Sequence, residues 1–146
     1  MAKTIARLQI TAHLEELVQV RQFVEEIAAS LTRDQQTISD IVLAVDEAVT
    51  NIIRHGYQHQ AGTIELAIRS QSNRLEIKLW DEAPAFDPTQ IAPPNPHIPL
   101  SQRAPGGLGI HMIRQLTDDL QYHCLADGRN ELTLVKQIKS ARLIQS

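Results

Sequence analysis

Glu47 and Asn51 interrupt an otherwise apolar stretch, Val45-Asp46-Glu47-Ala48-Val49-Thr50-Asn51-Ile52-Ile53, four residues apart. On a helix that spacing places both on one face, about one turn from each other. A carboxylate and an amide beside a core cost free energy unless something partners them, so the pair is either a polar helix edge or one wall of a site. Asp81 is a second polar signal. It closes the run Leu75-Glu76-Ile77-Lys78-Leu79-Trp80, where a strand should give way to a loop, a place where a turn aspartate is also ordinary. The third is Pro105-Gly106-Gly107-Leu108-Gly109, ahead of a helical pattern. Backbone N–H groups of such a loop can converge on an anion at the positive end of the helix.

Other chemistries are excluded by spacing. No GxxxxGK[ST] occurs, and Met112 stands where a dinucleotide fingerprint needs its third glycine. His55 and His59 are four apart, but Gly56 between them should end the helix and no HExxH accompanies them, so no metal is assigned there. His123-Cys124 reads as strand, and no GxSxG nucleophile elbow is present.

The elements that must position these residues follow from periodicity. Ala6, Leu8 and Ile10 alternate with polar residues, predicting a strand from Thr4 to Ile10. Leu17, Val20, Val24, Ile27 and Leu31 predict a helix over about 12–31 with Thr11 as its cap. Ile38, Ile41, Val42, Val45, Val49 and Ile52 predict a second helix, capped by Asp34 or Thr32 and stopped at Gly56. Thr63 to Arg69 and Leu75 to Asp81 form a hairpin around Ser70-Gln71-Ser72-Asn73. All seven prolines lie between Pro84 and Pro105, in a stretch too long for an ordinary connection. A short helix then runs from the glycines to Asp118 or Asp119, followed by strands Leu120 to Ala126 and Glu131 to Ile138 about an Asp127-Gly128 turn. Helices grouped apart from adjacent antiparallel strands define an α+β, two-layer sandwich.

A chain of 146 residues, 42% hydrophobic and 21% charged, suits one domain. A net charge of -3 with scattered Lys and Arg argues against nucleic acid as a partner. The single cysteine, and the lack of a signal-peptide core or a membrane-length apolar run, lead us to expect a cytoplasmic protein without membrane association.

Taken in order, the three polar features resemble the ATP site of the gyrase, heat-shock chaperone, histidine-kinase and mismatch-repair (GHKL) superfamily. Glu47-Ala48-Val49-Thr50-Asn51-Ile52-Ile53-Arg54-His55-Gly56-Tyr57 is similar to the N box of its anti-sigma-factor serine/threonine kinases. Asp81-Glu82-Ala83-Pro84-Ala85-Phe86-Asp87-Pro88 resembles the next box, and Gly106-Gly107-Leu108-Gly109-Ile110 the third.

The resemblance implies a Bergerat-type fold, with a mostly antiparallel sheet and helices on one face, a single ATPase domain over residues 1–146, and a proline-rich ATP lid at about 82–105. It implies ATP and Mg²⁺ as cofactors, Glu47 as general base, and Asn51 as Mg²⁺ ligand. Asp81 would accept from the adenine amino group, with Ala83 beside the base. Gly106, Gly107, Leu108 and Gly109 would contact phosphate, within reach of Arg103. The implied function is a kinase that phosphorylates an anti-sigma-factor antagonist and sequesters a sigma factor, acting as a homodimer. The alternative is a nucleotide-dependent module that sequesters its partner without turnover. That alternative is motivated by Ala83 and Ala85, which stand where the family's Asp-x-Gly-x-Gly has glycines. A methyl at Ala83 is expected to crowd the adenine or strain the turn.

Overall fold

The computed structural model describes residues 2–90, 97 and 107–138. Five strands form one antiparallel sheet in the order β1-β2-β3-β5-β4: β1 (Lys3–Thr11), β2 (Thr63–Gln71), β3 (Arg74–Asp81), β4 (Asp119–Cys124) and β5 (Asn130–Gln137). Strand alternation sorts the two faces. Ile64, Leu66 and Ile68 of β2 and Leu75, Ile77 and Leu79 of β3 are buried in the core. The opposite face carries a charge ladder in which Arg7 meets Glu65 at 3.1 Å and Lys78 meets Glu131 at 3.3 Å. The Trp80 indole N–H donates to Glu131 at 2.9 Å.

Among the described residues three helices, α1 (Leu17–Leu31), α2 (Gln35–Asn51) and α3 (Gly107–Leu116), share the apolar core with the sheet, and α2 lies between the other two. The stripe Ile38, Ile41, Val45 and Val49 of α2 is buried, at about 1.5–3 kcal/mol per large aliphatic side chain removed from water. Asp34 caps this helix, its carboxylate accepting from the Gln36 N–H at 3.1 Å and from the Thr37 hydroxyl at 2.8 Å. Lys136 ties three elements together: its ammonium donates to the Leu116 carbonyl at the end of α3 and reaches Asp40 of α2 at 3.4 Å.

The described elements correct or refine four expectations. Thr11 is not a helix cap; its hydroxyl donates to Glu16, and a 3-10 turn, Leu14–Glu16, leads into α1 at Leu17. The second helix does stop at Gly56 but is not regular throughout: α2 ends at Asn51 and passes into a π turn, Ile52–Gly56, while Gln58 and His59 take the positive φ values of 52° and 61°. The first hairpin turn tightens to Ser72-Asn73 because cross-strand pairing persists to Gln71 and Arg74. Helix α3 stops at Leu116, where the Asp118 N–H pairs with the Val135 carbonyl and starts the descent into β4. The β4–β5 connection spans Leu125–Arg129, with Gly128 at φ 90°. Most of the segment at 82–105 expected to be a lid lies outside the described residues.

Candidate active site

A cleft opens where the end of α2 and its π turn face the C-terminal end of β3 and the start of β5. Ala48, Asn51, Ile52 and Gly56 line one side, Asp81, Ala83 and Asn130 the other, with Tyr122, Leu132 and Ile110 completing the walls and Pro84, Phe86 and Pro88 at its rim. The lining is mostly apolar with a few convergent polar groups, the composition of a small-molecule site.

Tyr57 explains how the two sides are held. Its hydroxyl donates to the Thr63 carbonyl at 2.7 Å and accepts from the Glu82 N–H at 2.7 Å, pinning the helix end to β2 and to the residue after Asp81. Burial pushes this phenol above its ordinary value. Gly62 lets the ring in: a Cβ there would lie 2.3 Å from Tyr57 Cε1.

Asp81 is 7% exposed. Its Oδ1 accepts from the Ala83 N–H at 3.0 Å, an Asx turn that sets the loop's direction, and from the Asn130 amide at 2.8 Å. Burial raises the carboxyl above its ordinary value, opposed by the Asn130 and Ala83 donors. No described donor bonds to Oδ2. The second Asn130 N–H goes to the Ala83 carbonyl at 2.9 Å, and the Tyr122 hydroxyl donates to Asn130 Oδ1 at 2.5 Å.

The alanine expected to strain the turn does not. Neither Ala83 nor Ala85 has a positive φ, and the Ala83 methyl packs into the notch opposite Gly56, where a Cβ would sit 3.2 Å from it. The methyl forms part of the cleft wall.

Glu47 and Asn51 lie one turn apart on α2, as their spacing requires, and Gly109 of α3 closes on both. A Cβ at Gly109 would fall 3.0 Å from Asn51 Nδ2 and 3.2 Å from Glu47 Oε2. Asn51 Nδ2 is buried with no hydrogen-bond partner among the described residues, a costly state that a bound ligand could relieve. Asn51 lines the cleft, and Glu47 lies one turn before it, against Gly109 of α3. Gly107, Leu108 and Gly109 form the first turn of α3, whose N–H groups have no intrahelical acceptor. Arg103 and Gly106 lie outside the described residues. Asn130 and Tyr122 escaped the sequence reading: neither belongs to a local motif, and the antiparallel register Asp81↔Asn130 alone brings the amide to the carboxylate.

No group of three or more His, Cys, Asp or Glu among the described residues could hold a metal by itself. No described helix is long and apolar enough to cross a membrane.

Comparison with known proteins agrees with this architecture. Residues 10–136 match the family model described as histidine kinase-like ATPase domain. The chain is 31% identical over 123 residues to proteins named serine-protein kinase RsbW from Bacillus thuringiensis (strain Al Hakam) and Bacillus anthracis, covering 78% of this chain and 74% of each relative. Among solved structures, the RsbU and RsbW domains of a Mycobacterium tuberculosis protein superpose with a TM-score of 0.59 at 20% identity. That match covers 93% of this chain but only 33% of the other, and speaks for the fold alone.

Proposed function

Because the chain belongs to the histidine kinase-like ATPase family, in the branch of the anti-sigma-factor serine kinases, we propose that its cleft binds Mg-ATP for transfer to a protein hydroxyl. The acceptor in this reading is a serine or threonine of an anti-sigma-factor antagonist, and the kinase alternatively sequesters a sigma factor. The carrying observation is the convergence of Asn51, its amide nitrogen buried and unpartnered, with Glu47 and the first turn of α3 at Gly109. The unpartnered amide nitrogen is a donor, suited to a phosphate oxygen.

Asp81 keeps one carboxylate oxygen for the amino group of adenine, in a slot walled by Ala83, Ile52 and Leu132. Asn51 is the residue that would hold Mg²⁺ through Oδ1, the metal's other positions being taken by phosphate oxygens and water. Bound Mg²⁺ would supply offset of the phosphate charge. Glu47 accepts the proton of the attacking hydroxyl as the new oxygen–phosphorus bond forms and the bond to the bridging oxygen breaks, leaving ADP. Gly106, Gly107, Leu108 and Gly109 offer N–H groups to the transferred phosphoryl, joined by Arg103. The stretch 82–105 acts as the lid that excludes water. The protein works in the cytoplasm as a homodimer, a state that light scattering reads directly.

Calorimetric titration with ATP and Mg²⁺, followed by incubation with an anti-sigma-factor antagonist, tests the proposal. Binding by the parent and phosphate transfer lost in Glu47→Ala are expected. Binding without any transfer by the parent would leave the sequestration module in its place, and no binding at all would remove every nucleotide-based reading.

A further inference from the structure

We propose that Asn130 and Tyr122 are positioning residues that make the cleft select a purine with an amino rather than an oxo group at its 6-position. The inference rests on the nucleotide-site reading above and concerns which base that site accepts.

The selection comes from hydrogen-bond capacity. An ionised carboxylate only accepts, and Asp81 Oδ1 already takes two donors, the Ala83 N–H and the Asn130 amide. Oδ2 is therefore the oxygen left for a ligand in the cleft. A 6-amino group donates to it, whereas a 6-oxo group sets a lone pair against a carboxylate inside a buried wall.

Which way the Asn130 amide faces decides whether Asp81 stays in that state. Its two N–H bonds are spent on Asp81 Oδ1 and the Ala83 carbonyl, and its oxygen accepts from Tyr122. Both N–H donors are occupied, so Asn130 has no donor to spare for the ligand and acts through Asp81. A flipped amide would turn its oxygen on two acceptors, the carboxylate and the Ala83 carbonyl. The two acceptors fix the amide's orientation, Tyr122 holds its oxygen, the amide holds Asp81 Oδ1, and Oδ2 is left for the ligand. The sheet makes this chain possible because β3, β5 and β4 are consecutive neighbours, with Asn130 directly opposite both Asp81 and Cys124 and Tyr122 two residues along β4.

The test measures ATP and inosine triphosphate binding, each with Mg²⁺, on the full chain and on Asn130→Ala and Tyr122→Phe. Inosine triphosphate has a 6-oxo acceptor in place of the 6-amino donor of ATP and carries a hydrogen on N1. The parent should prefer ATP. Asn130→Ala should shrink the ATP-to-inosine preference roughly tenfold, the worth of about one hydrogen bond, and Tyr122→Phe should shrink it by less in the same direction. A merely structural role would weaken both nucleotides in proportion and leave the ratio unchanged. An unchanged ratio in both variants, or a parent indifferent to the 6-substituent, overturns the inference while the nucleotide site stands. Failure of the parent to bind ATP overturns the reading beneath it. Should Asn130→Ala fail to fold by its melting curve, Tyr122→Phe, which keeps the ring, decides by the same ratio.

Discussion

At the scale of single residues, the site depends on atoms left without partners and on side chains that are missing. Gly109 is the sharpest case, since any Cβ there meets Asn51 and Glu47 at 3.0–3.2 Å. Gly109→Ala should therefore push α3 off the pair and lower ATP affinity by roughly tenfold or more, with a much smaller effect on the melting temperature of the free protein. Asp81 makes a pH prediction of definite sign. Its folded carboxyl lies above its unfolded value because of burial, so the folded chain holds the proton more tightly. The stability this gives is full below the unfolded value and is lost as pH rises through the raised folded value. The parent should accordingly gain stability relative to Asp81→Asn as pH falls across that window, read by paired melting curves. ATP affinity should move the opposite way, falling as the acceptor oxygen is protonated.

At the scale of elements, the cleft depends on the connection between α2 and β2. The π turn at Ile52–Gly56 and the left-handed pair Gln58-His59 turn the chain so that Tyr57 can bridge β2 and the residue after β3. Tyr57→Phe removes both bonds and should cost about 1–3 kcal/mol in chemical denaturation, because the Thr63 carbonyl and Glu82 N–H lose a partner. Gly62→Ala should be comparably damaging, about 1–3 kcal/mol, since its methyl enters the Tyr57 ring. Both changes should also weaken nucleotide binding by loosening Asp81, whereas Asp34→Ala at the far end of α2 should cost about 1 kcal/mol of stability without altering the nucleotide's affinity.

At the scale of the whole molecule, one layer of helices on one sheet leaves a continuous core among the described residues, and the proposed ligand site lies where helix ends and strand ends meet at its edge. A ligand there bridges α2, α3, β3 and β5, so it should stabilise the fold as a unit. With Mg-ATP at 100 times its dissociation constant the gain is about 2.7 kcal/mol, a rise of roughly 5–11 °C in melting temperature for a chain of this size. Chelation of Mg²⁺ should remove most of that rise, and Asn51→Ala should abolish the Mg²⁺-dependent part.

The residue order by itself determined the local elements and the three candidate motifs: periodicity dictates where α2 and the strands run, and helical geometry places Glu47 and Asn51 on one face. Those are interactions within a few residues, which sequence spacing encodes directly. The fit of the Ala83 methyl over Gly56, the approach of Gly109 to the Glu47–Asn51 pair, and the Tyr122–Asn130–Asp81 relay were decided only by tertiary structure. Each joins residues from separate elements, Asn130 and Asp81 being 49 positions apart. Antiparallel register and the packing of α3 on α2 bring them together, and no local pattern records either.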